Sequence, residues 1–450
     1  MLLNFILLSY IIQNIFPYII FPLNEFKTNI DLIKDPIEAI KEISKTELYI
    51  TLEIGSKRAK IKAALSQQRS ELFISGKNIK SHKYDESVSK SYICPNNYTK
   101  ELYYGFYKEV SLSKEDFYIQ NDSNEIQKVE QLYFLLGNKM VSEDNKYEGI
   151  IGLRFIYSND LTDYNLIRNL NMKKIISSYY WFLNFNSNEN ENGKLIIGTL
   201  PHLIDDKFKE SEFIETPGVK NGFIGFDLNR IFYGNLNELT KSYAGYIHLD
   251  LKLFFGPNEL MEILEKEFFN KYIKENICFK DIYGIERNIF YYCKNQKDFD
   301  VSKFKEIKFK VNDLEQYFVL DYKDLFYYKD DLIYFLILFH EYDLNSFRIG
   351  HNFLKKFNLV FNLDSKTIGF YSNMIKTNET KIEDYIDKKN KNKFSFTDIL
   401  LILILVSIIV VGIIIYRRRI NRKMRANELE DKFQYIAKEE DNNPIINDIM

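Results

Sequence analysis

Short stretches in which apolar and polar residues alternate recur along most of this chain, from about residue 47 to residue 374. "YITLEI", "SELFIS", "GKLIIG", "KFKEIKFKV" and "SKTIGFY" are examples. A period of two turns one face of an extended segment inward and the other outward, which is the pattern of half-buried strands. Clusters such as "NDSNE", "SEDNKYEG" and "NSNENENGK" separate the stretches and read as turns. The chain is therefore expected to be mostly β, and 46% hydrophobic content over 450 residues can fill one large core or two medium ones. One helix is predicted at 256–273, "GPNELMEILEKEFFNKYI". Pro257 and Asn258 suit its start, and Leu260, Ile263, Leu264, Phe268 and Tyr272 fall on one face. A faint internal echo accompanies the strands. The pair within 49–75 is followed later by "GIIGL", and "SYAGYIHLDLKLFFGP" is followed later by "FRIGHNFL". Two similar lobes in one chain would produce such an echo.

The two ends read differently. Residues 1–23 are uncharged and apolar and are expected to be a signal peptide, with an uncleaved anchor as the rival reading. Residues 24–46 are mixed in charge and stand where a short prosegment would. Residues 375–398 read as a polar stalk. Residues 399–416, "ILLILILVSIIVVGIIIY", form an uninterrupted apolar run of 18 residues, about 27 Å as a helix and long enough to cross a bilayer core. "RRRINRKMR" follows, which favours a cytoplasmic tail over 417–450, although Lys388, Lys389, Lys391 and Lys393 soften the asymmetry. The expected topology is a single-pass type I membrane protein in the secretory or endolysosomal pathway or at the cell surface. Its ectodomain would be lumenal or extracellular. Asn97, Asn121 and Asn378 begin glycosylation sequons on that side. Asp441 with Ile445 and Ile446 resembles an acidic dileucine-type sorting signal.

A net charge of −2 gives no electrostatic reason to bind nucleic acid. Five His show no ligand spacing, so neither a metal nor another cofactor is expected. Three cysteines allow at most one internal disulfide.

The order of motifs resembles the pepsin-like aspartic proteases, peptidase family A1, over nearly the whole expected ectodomain. "LYYGF" resembles that family's flap, with Tyr104 and Gly105 as its Tyr-Gly pair. "KYDESVSKSY", "YEGIIGLRF" and "GKLIIGTLP" resemble further family segments of the first half, and "FRIGHNFLKKFNLVFNLDSKTIGF" resembles the closing one. The resemblance implies a bilobal β fold, with a first lobe over 47–215 and a second over 216–374. It implies an interlobe cleft that takes an extended peptide, and a disulfide between Cys278 and Cys293.

The resemblance also locates what has changed. The family places one Asp in each lobe, in an Asp-Thr/Ser-Gly turn, and the two carboxyls share a proton to activate water. Here Ser66 occupies the first Asp position and His248 the second. Gln67 and Gln68, then Leu249 and Asp250, replace the residues after them, so the glycine of each turn is lost. Asp250 lies two residues late, on the same face of a strand as His248, but a lone carboxylate is half a dyad. A serine hydrolase built on Ser66 and His248 would need an orienting third group and an oxyanion hole, and the sequence shows neither. The expected protein is a pseudo-protease that binds a peptide or protein in its cleft. A working aspartic endopeptidase and a structural or adhesive surface protein are the alternatives.

Overall fold

The structure is a computed structural model. It describes residues 17–374 apart from the short stretches 26–31, 45–46, 80–82, 96–98, 105–106, 121–125, 141–147, 156–161, 186–192, 235–236, 313 and 343–344. The stalk, the apolar run 399–416, the tail, Asn97, Asn121, Asn378, Asp441, Ile445 and Ile446 lie outside the described residues. Among the described residues, no helix is long and apolar enough to cross a membrane.

The expected strands form. Leu48–Ile54 alternates buried and open side chains along its whole length. It pairs antiparallel with Ala59–Ser66, Tyr49 opposite Ala64 and Ile54 opposite Ala59. An eight-stranded sheet organises the first half and a thirteen-stranded sheet the second, and a six-stranded sheet joins them. In the joining sheet Tyr180–Asn184 of the first half pairs antiparallel with Val360–Asn362 of the second. Trp181 is fully buried there and stacks on Phe361 with ring centroids 4.2 Å apart.

The internal echo is a repeated strand arrangement. In the first half Ala59–Ser66 runs parallel to Gly149–Gly152, which pairs antiparallel with Leu72–Ser75, which runs parallel to Ile126–Met140. In the second half Tyr243–Ile247 runs parallel to Ser346–Ile349, which pairs antiparallel with Phe254–Gly256, which runs parallel to Ile337–His340. Each copy needs one glycine at the same point. A Cβ on Gly152 would come within 2.4 Å of the Glu71 nitrogen, and one on Gly350 within 2.2 Å of the Leu253 carbonyl oxygen. No side chain fits at such distances, so both backbone crossings depend on glycine.

The predicted helix spans Asn258–Lys274 with a π-helical turn at Glu265–Phe269. The turn adds one residue to the repeat and brings Phe269 inside beside Phe268. Ile263, expected on the buried face, is only partly buried.

The expected signal-peptide segment 1–23 is described from residue 17 onward. Ile19–Pro22 is a strand, in register with Lys194–Ile197 at one edge of the joining sheet. Ile19, Phe21 and Leu23 are 2%, 4% and 1% exposed. Those three side chains are therefore core, and a cleavage after residue 23 would remove a strand from the fold. Residues 1–16 lie outside the described set.

Candidate functional site

The repeat places the end of one strand from each half at a common point. Ser66 closes Ala59–Ser66, and its carbonyl accepts from Leu153 N at 2.8 Å. His248 follows Tyr243–Ile247, and its N–H donates to the Ile349 carbonyl at 2.9 Å. These are equivalent positions in the two copies, the ones the sequence assigns to the missing aspartates.

Ser66 and His248 do not bond each other among the described residues. Gln67 comes between the halves instead. Its side chain is 4% exposed. Its Oε1 accepts from Leu249 N at 2.8 Å, and its Nε2 donates to Asp250 Oδ1 at 3.0 Å. Leu249 N can only donate and an ionised carboxylate can only accept, so these two bonds fix which way the amide points. The same Nε2 lies 3.3 Å from His248 Nδ1, which accepts from it when that nitrogen is unprotonated. When Nδ1 carries a proton, it can donate to Asp250 Oδ1, 3.4 Å away. Gln68 adds a long contact from Nε2 to Asp250 Oδ2 at 3.4 Å, and its N–H donates to Ser66 Oγ at 3.2 Å.

Asp250 is thus the one carboxylate in this network. Burial alone would raise its pKa, but hydrogen bonds from His248 and Gln67 outweigh that and hold it below the ordinary carboxylate range. The other nearby acids are committed elsewhere. Glu53 pairs with Arg58 at 2.6 Å, and Glu71 accepts from Ser70 Oγ at 2.9 Å. A carboxyl whose pKa is lowered by folding contributes stability above its unfolded pKa, and that contribution disappears as pH falls through the folded value. Asp250→Asn is therefore expected to be less stable than the parent chain at pH 7. The gap should close as denaturant unfolding is repeated in increasingly acid buffer.

His351 opens the helix after Gly350 and lies near enough to Asp250 to sense its charge. It is 3% exposed, and its backbone N–H donates to the Leu251 carbonyl at 2.8 Å. Burial, then the positive charges of Lys252 and Lys355, push its pKa down to about 3, so the ring is neutral. His202 is elsewhere, its Nδ1 2.9 Å from the Tyr371 hydroxyl, and His340 stacks on Phe255. Among the described residues, no group of three His, Cys, Asp or Glu side chains is arranged to hold a metal ion.

A family profile for eukaryotic aspartyl proteases matches residues 47–373. The chain belongs to the eukaryotic aspartyl protease family. No curated protein matches it. As the family resemblance implied, Cys278 and Cys293 form a disulfide, directly opposite each other in the antiparallel hairpin of Cys278–Tyr283 with Asn288–Lys294. That direct opposition accounts for a sequence separation of only 15. Cys94 is a free, half-buried thiol.

Of the residues expected at an aspartyl protease cleft, the structure brings Ser66, Gln68, His248 and Asp250 together. Tyr104 ends the strand Thr99–Tyr104, with Tyr107 as its register partner, and its side chain is outside the described set. Gly105 is also outside it. The residue sequence reasoning passed over is Gln67, which joins the halves. The available signal was a long carboxamide immediately after the first dyad position, where the family carries a short hydroxyl side chain.

Proposed function

We propose that this chain is a non-catalytic member of the aspartyl protease family that binds an extended peptide or protein segment between its lobes. The observation that carries the reading is the Gln67 network. Family chemistry needs two carboxyls about 3 Å apart sharing one proton. Here a single carboxylate, lowered in pKa, is hydrogen-bonded to a carboxamide that neither gives nor takes a proton at ordinary pH. Ser66 and His248 cannot supply the missing acid.

Binding without cutting is supported by the sheet edge. Among the described residues, Thr99–Tyr104 is the last strand of the eight-stranded sheet and has a neighbour on one side only. An extended peptide can add to such an edge through backbone hydrogen bonds. Membrane attachment through 399–416, glycosylation at Asn97, Asn121 and Asn378, and a secretory, endolysosomal or surface location belong to the same proposal and rest on the sequence. Family membership by itself favours a working endopeptidase, and that alternative requires a second carboxylate to reach Asp250.

The test is retention of a random extended-peptide library on the full-length chain in detergent. Retained peptides should lose binding when alternate backbone nitrogens are methylated, because the strand-like bonds go. Equal retention of the methylated peptides would remove strand addition as the mode. No retention at all would leave the structural role.

A further inference from the structure

We propose that residues 17–25 and 32–44 form a permanent structural strap, retained in the mature protein, and that N-terminal processing is confined to the residues before Pro17. The segment engages all three sheets. Ile19–Pro22 forms an edge of the joining sheet. Ser177 N donates to the Pro17 carbonyl at 3.0 Å, and Leu23 N donates to the Gly193 carbonyl at 2.9 Å. Asn24 and Glu25 then pair with Tyr49 and Leu48 of the eight-stranded sheet. The helix Pro36–Ser44 lies on the second half.

That helix is locally specified. Asp35 Oδ1 accepts from Ile37 N at 2.7 Å and from Glu38 N at 3.1 Å, and Pro36 follows the cap where its missing N–H costs nothing. Its inner face is closed. Ala39 and Ile40 are 0% exposed and Ile43 is 1% exposed, packed in one cluster with Leu253, Phe255, Phe290, Leu336 and Leu338. Lys329 fastens the approach to the helix. It is 8% exposed, and its ammonium donates to the Ile33 carbonyl and pairs with Asp330 at 3.1 Å.

Removing the strap would uncover Ile19, Phe21, Leu23, Ala39, Ile40 and Ile43 together with everything they cover. It would strip the partner strand from Lys194–Ile197 and take away the carbonyl that Lys329 uses. The strap does not act on the candidate site. Among the described residues, no hydrogen bond or ion pair joins 17–44 to Ser66, Gln67, His248 or Asp250. It does cover the strand that leaves the site, since Leu251, Leu253 and Phe255 all pack in the helix cluster. Under the peptide-binding proposal, that wall is closed to a ligand.

Two measurements test the strap. The first is N-terminal mapping by mass spectrometry of the full chain, carrying a C-terminal tag and purified from secretory-pathway cells. The expected first residue is Pro17 or earlier. A folded protein beginning after Pro17 would overturn the proposal. In the second, a specific protease site is placed between Ser44 and Leu48 and cut after purification. The strap should stay bound through gel filtration, or its loss should unfold the body. Departure of the strap from a body that keeps its melting temperature would overturn the proposal. Both measurements are independent of whether any peptide binds the cleft.

Discussion

Replacing Gln67 by Ala is expected to lower the stability of the folded chain by roughly 2–4 kcal/mol, a fall in melting temperature of roughly 3–5 °C for a body of this size. The substitution removes a hydrogen bond to an ionised group and leaves Leu249 N without an acceptor in a residue that is fully buried. Both losses fall at the junction of the halves, so increased proteolytic nicking between them should accompany the thermal shift. Gln67→Glu makes the argument specific. It has nearly the same shape and keeps an acceptor for Leu249 N, but it sets a carboxylate where Nε2 now lies 3.0 Å from Asp250. Two carboxyls at that distance cannot both ionise freely, so one pKa rises in the folded state. A raised folded pKa contributes stability below it and loses that contribution above it. Gln67→Glu should therefore be destabilised at pH 7 and recover as the pH falls below about 5. A variant equally unstable at both pH values would mean that Asp250 is not the partner.

The second large effect is expected at Trp181. Trp181→Ala should cost about 3–5 kcal/mol. Trp181 is fully buried and is in register with both Ile197 and Phe361 in the joining sheet, where its ring stacks on Phe361. The cavity would open where strands of the two halves meet, so calorimetry should show loss of cooperativity as well as a lower midpoint. Trp181→Phe should cost much less. It keeps an aromatic ring against Phe361 and removes an indole N–H that finds no hydrogen-bond partner among the described residues. Equal losses for Ala and Phe would show that stacking contributes little there.

Much of the fold could be read from alternation alone. Leu48–Ile54 has its alternate side chains inside, as a period of two dictates, and the echo between the halves is the parallel pairing of Ala59–Ser66 with Gly149–Gly152 and of Tyr243–Ile247 with Ser346–Ile349. The N-terminal strand was hidden by composition. Ile19, Phe21 and Leu23 do alternate inward, but Tyr18, Ile20 and Pro22 between them are not charged, so a buried strand and a leader look alike. Phe269 was missed because a regular helix would turn it off the inner face, and only the π-helical turn brings it in.

The candidate site was half legible. Spacing placed Ser66 and His248 at equivalent ends of the repeat and put Asp250 on the face of His248. It could not show that Gln67 crosses to the other half, because that contact joins residues 182 positions apart and depends on how the lobes pack. The amide is what converts a weakened active-site sequence into a closed hydrogen-bond network.

Whether the site has lost its chemistry is read by cleavage of a diverse peptide library by the full-length chain from acid to neutral pH, with and without a statine-type inhibitor. A protein without a catalytic dyad gives no inhibitor-sensitive cutting at any pH from a preparation that unfolds cooperatively. Inhibitor-sensitive cutting that is lost in Asp250→Asn would contradict it, because a second carboxylate would then have to reach Asp250 past Gln67.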